Sequence, residues 1–279
     1  MTGKILVIGA TGTVGKHVVA GLLAKGEKVV AATRTAIAIP GAEARRFDIA
    51  DTATHRGIFA GVDRAYVLVP SGYLDAHRFL IPLIETAAAA KVKVVLQSVM
   101  GVDADDELPY RKAEIALEKS GTAYVILRPN WFADNFHMFW REGIKHGVIA
   151  LPAGTGASSF VDVRDIAAAA VAALTSSAFD GKAYELTGPQ ALTYAEAAGI
   201  LAEVTGKPIR YQATRDADFI AMLTGAGVPA DFAGFMASIF HPVREGWTAR
   251  VTGDVEKLSG RQPTGLSDYA RDHREALNA

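Results

Sequence analysis

Short apolar runs alternate with longer amphipathic segments along the first two thirds of the chain. Apolar runs of about four to eight residues are typical of strands buried on both faces, and the segments between them are long enough for crossover helices. The pattern therefore predicts a doubly wound α/β fold with a parallel sheet. The predicted strands lie at 4–8, 27–33, 44–47, 65–69, 92–96, 123–127 and 183–187, and the predicted helices at 14–25, 52–59, 75–90, 110–120 and 163–174.

The pattern changes after residue 130, where aromatic residues become dense over 130–139 and most of the remaining chain is predicted to be helical. We therefore expect two domains. A sheet domain covers residues 1–188, of which 130–160 reaches partly into a substrate cleft. A smaller, mainly helical cap that binds the substrate covers residues 189–279.

Composition and charge narrow the classes of partner. The 279 residues are 50% hydrophobic and 21% charged, with a net charge of −1, so the basic excess that is usual in nucleic-acid-binding proteins is missing. The longest apolar stretch, 166–174, is too short to span a bilayer, and no signal peptide is visible. With no cysteine and with scattered histidines, no metal site is expected. We expect a cytoplasmic protein without nucleic-acid or membrane partners, whose oligomeric state the sequence leaves open.

A glycine-rich turn joins the first predicted strand to the first helix. Gly9 permits a tight turn, Gly12 lets a pyrophosphate approach the backbone, and Gly15 lets the helix pack close to the sheet. A mononucleotide P-loop fails here because Ala10 and His17 occupy two of its required positions. The turn therefore predicts a Rossmann-type site for a nicotinamide dinucleotide, with the pyrophosphate on free N–H groups at the helix N-terminus. The turn residues assigned to the cofactor are Gly9, Thr11, Gly12, Thr13, Val14 and Gly15.

The end of the second strand bears on the choice between NAD and NADP. NAD-binding proteins place an acid there to hold the ribose 2′-hydroxyl, whereas this chain has Thr33 and Arg34, with no Asp or Glu before Glu43. A guanidinium could bind the 2′-phosphate of NADP through two hydrogen bonds. We expect NADP(H) to be preferred, with NAD(H) possible; the alternative for Arg34 is a solvated surface side chain.

The carboxyl ends of the later strands should complete the cofactor site, since ligands bind at that edge of such sheets. Asp48 follows the third strand and could contact the adenine. It could equally cap a helix, a role for which Asp51 competes. The other residues assigned to the cofactor are Ile49, Val69, Pro70, Ser71, Ser98, Lys112, Asn130 and Phe132.

Four motifs resemble the atypical short-chain dehydrogenase/reductases of the NmrA-like group, most of all the NAD(P)H:quinone oxidoreductase and triphenylmethane reductase type. They are Gly9-Ala-Thr-Gly-Thr-Val-Gly15, Leu127-Arg-Pro-Asn-Trp-Phe132, Phe160-Val-Asp-Val-Arg-Asp-Ile-Ala167 and Leu258-Ser-Gly-Arg-Gln-Pro263. The resemblance implies an NADP-binding domain, a small substrate domain, and hydride transfer to a quinone, dye, enone or imine-like molecule. Because some relatives are redox-sensing regulators, an NADP(H)-sensing protein is the alternative. A nucleotide-sugar epimerase or dehydratase is the third.

The chain lacks the Tyr-x-x-x-Lys pair of the wider superfamily. Tyr110 is followed four residues later by Glu114, and the lysine is Lys112, which would point about 200° away from Tyr110 on a helix. The catalytic candidates are Tyr110 as proton donor, Lys112 on the nicotinamide ribose, and Ser98 at the end of the fifth strand. Their structural alternatives are a packed tyrosine, a solvated lysine and a loop hydroxyl. Hydride transfer to a quinone-like acceptor needs no strong acid if solvent supplies the proton.

Apolar and aromatic side chains near the same edge are the candidates for substrate contact. They could stack on a flat acceptor, or they could pack a hydrophobic hinge between the domains. The residues assigned to the substrate are Tyr73, Met100, Trp131 and Phe136.

Overall fold

The computed structural model of the chain describes residues 3–70 and 72–279. Its strands are short, and most of them coincide with the apolar runs of the sequence. Within the described residues they are β1 (Lys4–Ile8), β2 (Val29–Thr33), β3 (Ala42–Arg46), β4 (Val62–Val67), β5 (Lys93–Gln97), β6 (Tyr124–Pro129), β7 (Val148–Leu151), β8 (Ala157–Ser158), β9 (Lys182–Leu186), β10 (Leu192–Thr193) and β11 (Arg210–Ala213).

The helices include four that the sequence predicts, near 14–25, 75–90, 110–120 and 163–174. Among the described residues, no helix combines the length and the apolarity needed to cross a bilayer. The helices are α1 (Gly15–Ala24), α2 (Ala76–Ala89), α3 (Pro109–Lys119), α4 (Arg141–Lys145), α5 (Val163–Thr175), α6 (Tyr194–Thr205), α7 (Asp216–Gly225), α8 (Ala230–Ser238), α9 (His241–Arg244), α10 (Asp254–Ser259), α11 (Leu266–Asp272) and α12 (Arg274–Asn278).

One seven-stranded sheet has the order β3-β2-β1-β4-β5-β6-β9. All its neighbours pair in parallel. The strand order reverses direction between β1 and β4, and the crevice outside their carboxyl ends is where ligands bind in sheets of this kind. The predicted doubly wound α/β fold is confirmed.

Burial along the strands follows from this arrangement. Strands β1 and β2, with the sequences KILVI and VVAAT, are buried along almost their whole length because helices cover both faces of the sheet. Strand β3, with the sequence AEARR, lies at the edge and is largely exposed. Its charged side chains discourage pairing with another chain at that edge.

The predicted helix over 52–59 is wrong. Only Thr52–Thr54 form a 3₁₀ turn, and the Asp51 carboxylate caps it by accepting from the Ala53 N–H at 3.1 Å. Gly57 then adopts a φ of 74°, in the left-handed region that ends helices. The large apolar residues of this segment pack in the core from an irregular connection between β3 and β4.

The chain divides into two compact units that interleave more than a single boundary at residue 188 predicts. The sheet unit comprises the described residues up to Pro129, then Val163–Leu186 and Asp254–Arg261. The second unit comprises Asn130–Asp162, Thr187–Gly253 and Gln262–Ala279. The expected role of the second unit in binding substrate stays a prediction.

Residues 254–261 join the sheet unit through α10, which packs on α5 and β9. Asp254 accepts a hydrogen bond from the backbone N–H of Glu185 at 2.9 Å. Arg261 pairs through Nη2 with the buried Asp165 at 2.9 Å. Two of the four family-like motifs therefore meet in this unit, since Asp165 and Arg261 belong to different ones.

The second unit has its own apolar core. Strands β7 and β11 pair in parallel, and β8 and β10 pair antiparallel. Helix α6 begins with a capping box, in which Thr193 Oγ1 accepts from the Glu196 N–H and the Glu196 carboxylate accepts from the Thr193 N–H. The core of this unit includes Phe136, Tyr194 and Phe240.

Candidate functional site

The glycine turn after β1 has the geometry that its sequence requires. Gly9 has a φ of 70°, which favours glycine. A Cβ on Gly15 would lie 2.0 Å from the carbonyl oxygen of Gly9, so no side chain fits there. The Gly12 N–H donates to the same oxygen at 2.8 Å and closes the turn. Exposure falls along the turn: Thr11 and Gly12 are exposed, Thr13 is half-buried, and Val14 and Gly15 are buried.

The N-terminus of α1 is left without a side-chain cap. Val14 at the N-cap position provides no capping hydrogen bond, and the first turn holds no acidic residue. The leading N–H groups of a helix need an acceptor, and the helix dipole favours an anionic one. The residues present therefore fit the pyrophosphate of a dinucleotide.

Arg34 lies in a tight loop that follows β2. Thr33 Oγ1 accepts from the Ile37 N–H at 3.0 Å, and Ala36 adopts a φ of 50°. Arg34 itself is exposed, and its guanidinium pairs with no acid in the described part of the chain. The loop therefore presents a cation at the ligand-binding edge of the sheet.

Glu43, the first acid after Arg34 in the sequence, is engaged elsewhere. It lies opposite Val30, near the start of β2 and away from the carboxyl end. Its carboxylate pairs with Lys4 Nζ at 2.5 Å and Arg45 Nη2 at 2.6 Å. Hydrogen bonds from Lys4 and then Arg45 lower the pKa of Glu43 below its usual value. It therefore places no negative charge beside Arg34.

Asp48 and Ile49 follow β3. Asp48 Oδ1 accepts from the Ala50 N–H at 3.0 Å, and the Asp48 N–H donates to Thr54 Oγ1 at 3.0 Å. Asp51, and not Asp48, caps the helical turn that follows. Contact of Asp48 with adenine stays a prediction, whereas the Ile49 side chain is 4% exposed and packs in the core. The assignment of Ile49 to the cofactor also stays a prediction.

The segment after β4 is only partly described. Val69 is buried and Pro70 is exposed, while Ser71 lies outside the described residues. The half-buried Tyr73 ring meets Phe79 edge-on, with centroids 4.8 Å apart. The ligand contacts expected of these residues stay predictions.

Ser98 follows β5 and is 3% exposed. Its N–H donates to the carbonyl oxygen of Leu127 at 2.8 Å, which fixes the backbone. Its Oγ is buried and has no hydrogen-bond partner among the described residues. A buried hydroxyl without a partner is costly, so a ligand group at this edge would satisfy it.

Tyr110 and Lys112 begin α3 but have different surroundings. Tyr110 packs against the apolar core of the sheet unit, and this burial raises its pKa to about 12. Lys112 Nζ pairs with Glu107 Oε2 at 2.7 Å, and both side chains are exposed to solvent. The structure does not bring the tyrosine and lysine together. The ribose contact of Lys112 stays a prediction, and its surface ion pair favours the solvated alternative.

Glu114 occupies the position four residues after Tyr110 and is fully buried. Its carboxylate accepts from Arg128 Nε at 3.0 Å and Nη2 at 2.6 Å, and from Arg111 Nη1 at 3.0 Å. Arg128 Nη1 also donates to Asp103 Oδ2 at 2.6 Å. The residue in the superfamily lysine position therefore ties α3 to β6 and to the turn after β5.

A buried pair that the sequence analysis missed connects β4 to the end of β5. The hydroxyl of Tyr66, which is fully buried, donates to Gln97 Oε1. Burial, with a smaller contribution from nearby Tyr110, raises the pKa of Tyr66 well above its usual range. The available signal was a tyrosine inside an apolar strand, because a buried tyrosine hydroxyl needs a partner.

The side chain of Asn130 makes its hydrogen bonds within the second unit. Its Nδ2 donates to Ser159 Oγ and to the Thr248 carbonyl oxygen, both at 2.7 Å. Its Oδ1 accepts from the Trp131 N–H at 2.9 Å. Both N–H groups of the carboxamide are therefore used within the unit. The side chain therefore has a structural role, and the expected cofactor contact of Asn130 stays a prediction.

Phe136 is also a core residue. It is fully buried, and its ring meets Trp140 and Phe160 edge-on, each with centroids 5.0 Å apart. It has no surface for stacking on a ligand, so its assignment to substrate binding is corrected. Trp131 is half-buried and stacks on Phe240 at 4.8 Å.

Met100 and Phe132 keep part of their side chains exposed. The Met100 N–H donates to the Pro129 carbonyl oxygen at 3.1 Å, and Phe132 forms a parallel bridge with Val161. Their backbones are thus fixed while their side chains retain free surface. The ligand contacts of Met100, Trp131 and Phe132 stay predictions.

The raised pKa of Tyr110 predicts a pH-dependent stability. The folded protein favours the neutral phenol, so this contribution is complete below pH 10 and is lost as the pH rises towards 12. The Tyr110→Phe variant lacks this loss. Urea unfolding of both proteins at pH 8 and at pH 11 should show the wild type losing stability relative to the variant. An equal difference at the two pH values would contradict the prediction.

Known proteins resemble this chain in sequence and fold. The NmrA-like family matches residues 1–270. The NAD(P)H azoreductase of Xenophilus azovorans is 32% identical over 99% of both chains. The NADPH-dependent quinone oxidoreductase of Escherichia coli, solved with NADPH, is 28% identical with a TM-score of 0.84, over 96% of this chain and 99% of that one. The triphenylmethane reductase of Citrobacter sp., solved with NADP(H), is 26% identical with a TM-score of 0.84, over 97% of this chain and 99% of that one.

Proposed function

This chain belongs to the NmrA-like family, and from that premise we propose that it is an NADP(H)-dependent oxidoreductase. Its acceptor is a small conjugated organic molecule: a quinone, dye, enone or imine-like compound. The azoreductase, the quinone oxidoreductase and the dye reductase that resemble it reduce molecules of this kind, as their names state.

The uncapped N-terminus of α1 beside the glycine turn carries the proposal. Gly15 cannot hold a side chain, Gly9 needs its left-handed φ, and no acid occupies the first turn of the helix. This combination leaves backbone N–H groups for an anion at the carboxyl end of β1, where a dinucleotide pyrophosphate binds. NAD(H) would use the same turn.

The reactive group of this reaction belongs to the cofactor and not to the protein. When bound, the reduced nicotinamide supplies the hydride, and the protein orients the reactants and excludes competing reactions. Tyr110 is protonated at neutral pH and is the candidate proton donor, but the burial that raises its pKa to about 12 also makes it a weaker acid. Ser98 Oγ has a free hydrogen-bonding capacity at the same edge. Solvent is the alternative source of the proton.

Arg34 is the residue we assign to the 2′-phosphate. Replacing it with alanine should weaken NADPH binding by about 10- to 100-fold, because a charge-assisted bidentate hydrogen bond is lost. NADH binding should change by less than about twofold. Calorimetry with both cofactors measures this. Arg78→Ala is the matched control, since Arg78 is an exposed arginine of the same unit on α2. Equal losses for NADPH and NADH would refute the assignment.

Turnover tests the function directly. The purified protein is mixed with NADPH and a panel of quinones, triphenylmethane dyes and azo dyes, and the absorbance of reduced nicotinamide is followed. Acceptor-dependent oxidation supports the oxidoreductase. Tight NADPH binding without oxidation by any acceptor would instead favour an NADP(H)-sensing protein, for which the missing Tyr-x-x-x-Lys pair is the supporting observation.

A further inference from the structure

We propose that Gln97 binds the nicotinamide end of the cofactor, by donating a hydrogen bond from its carboxamide Nε2 to the carbonyl oxygen of the nicotinamide carboxamide. Tyr66 acts as a positioning residue that orients Gln97. This inference rests on the proposed function, since it requires the dinucleotide to bind at the edge of the sheet.

Gln97 lies at the right place for the second half of the cofactor. A dinucleotide spans the crevice of such a sheet, with one nucleotide on each side of the point where the strand order reverses. Arg34 follows β2 on one side of that point, which assigns the strands β4 and β5 to the nicotinamide half. Gln97 is the last residue of β5 and is half-buried.

The Tyr66 hydroxyl decides which way the carboxamide of Gln97 points. Tyr66 is fully buried, and Gln97 is its hydrogen-bond partner among the described residues. If the carboxamide were reversed, Nε2 would donate to the Tyr66 hydroxyl oxygen, and the buried hydroxyl proton would have no acceptor, at a cost of about 1–3 kcal/mol. The oxygen Oε1 therefore faces Tyr66, and Nε2 is directed elsewhere.

The N–H groups of Gln97 remain available for a ligand. The Gln97 side chain has its hydrogen bond through Oε1, and its Nε2 donates to no residue in the described part of the chain. Asn130, the carboxamide that the sequence assigns to the cofactor, uses both N–H groups within the second unit. We assign the acceptor of this hydrogen bond to the nicotinamide carbonyl and not to the substrate. The cofactor is the same for every substrate class, whereas azo and triphenylmethane dyes need not carry an oxygen at the reacting atom.

Binding of cofactor fragments tests the assignment without turnover. The Gln97→Met variant keeps the side-chain length but removes the donor. Calorimetry compares NADP⁺, its 3-acetylpyridine analogue, which keeps the carbonyl oxygen but lacks the amide nitrogen, and 2′-phospho-ADP-ribose, which lacks the ring. The variant should lose about five- to tenfold in affinity for the first two and be unchanged for the third. Gln190→Met, at an exposed glutamine of the second unit, should change none of the three.

Two further variants separate positioning from folding. Tyr66→Phe leaves Gln97 in place but frees its carboxamide to rotate, so we expect a loss of about threefold with the same ligand selectivity. Gln97→Met alone could fail to fold because Tyr66 loses its acceptor. In that case the double variant with Tyr66→Phe removes both polar groups, and the three ligands are compared on that variant.

The outcomes distinguish this inference from the proposed function. Equal losses for all three ligands, or no loss for any, would overturn the role of Gln97 while NADPH oxidation by the wild type continued. An unchanged affinity for the acetylpyridine analogue would show that Gln97 does not donate to the carbonyl oxygen. If the wild type binds none of the ligands, the proposed function fails together with the inference.

Discussion

Replacing Gly15 with alanine should weaken cofactor binding by about 100-fold. The added Cβ would lie 2.0 Å from the carbonyl oxygen of Gly9 and 2.8 Å from its carbonyl carbon, and backbone cannot yield as a flexible side chain does. The turn must open, which displaces the N–H groups that we assign to the pyrophosphate. Loss of two such charge-assisted hydrogen bonds costs roughly 3 kcal/mol or more, or about 100-fold in affinity for NADPH and NADH alike.

The stability of the Gly15→Ala variant gives a second readout. Forcing a methyl group into a filled site typically costs about 1–3 kcal/mol of unfolding free energy. Gly199→Ala is the matched control, because Gly199 lies within α6 and an added Cβ there meets nothing within 4 Å. That variant should bind NADPH as the wild type does and be slightly stabilised, since alanine favours a helix over glycine. NADPH affinity within about twofold of the wild type in Gly15→Ala would refute the role of the turn.

Removing the carboxylate of Glu114 should be among the most destabilising single changes in the sheet unit. Arg128 would remain almost fully buried after losing two of its three hydrogen bonds to carboxylates. Breaking a buried ion pair in this way typically costs about 3–5 kcal/mol, because one charge is left uncompensated. Urea unfolding of Glu114→Ala measures the cost.

The neighbouring Glu118→Ala variant provides the control. Glu118 also pairs with Arg111, at 2.8 Å, but its side chain is 33% exposed, so its loss should cost less than about 1 kcal/mol. Glu114→Lys would recreate the Tyr-x-x-x-Lys spacing, yet it places a third cation against Arg111 and Arg128, and we expect it not to fold. Equal costs for the two alanine variants would contradict the argument.

The sheet was predictable from the sequence because its signal is local. Most of the buried strands contain a continuous apolar run, and the glycine turn is contiguous, so periodicity and turn chemistry suffice to place both. The two-residue strands β8 and β10 have no such signal, since their pairing is set by the packing of the second unit. The predicted helix over 52–59 failed because local caps and a left-handed glycine outweighed a short apolar pattern.

The candidate site was predictable only where one segment builds it. The turn and Arg34 each lie within a few residues of a strand end. The contact of Tyr66 with Gln97 depends instead on the register between β4 and β5. Phe136 and Trp131 share an aromatic segment, yet one is buried and the other half-buried, a distinction that depends on packing with distant residues such as Phe160.

The interleaved path of the chain constrains how the protein is made. Helix α10, which packs on α5 and β9, and Arg261, which pairs with Asp165, are synthesised after most of the second unit. On the ribosome, the sheet unit therefore cannot form these contacts until residues 254–261 have been synthesised. No single cut in the gene separates the two units, so exchanging the second unit between relatives requires several junctions.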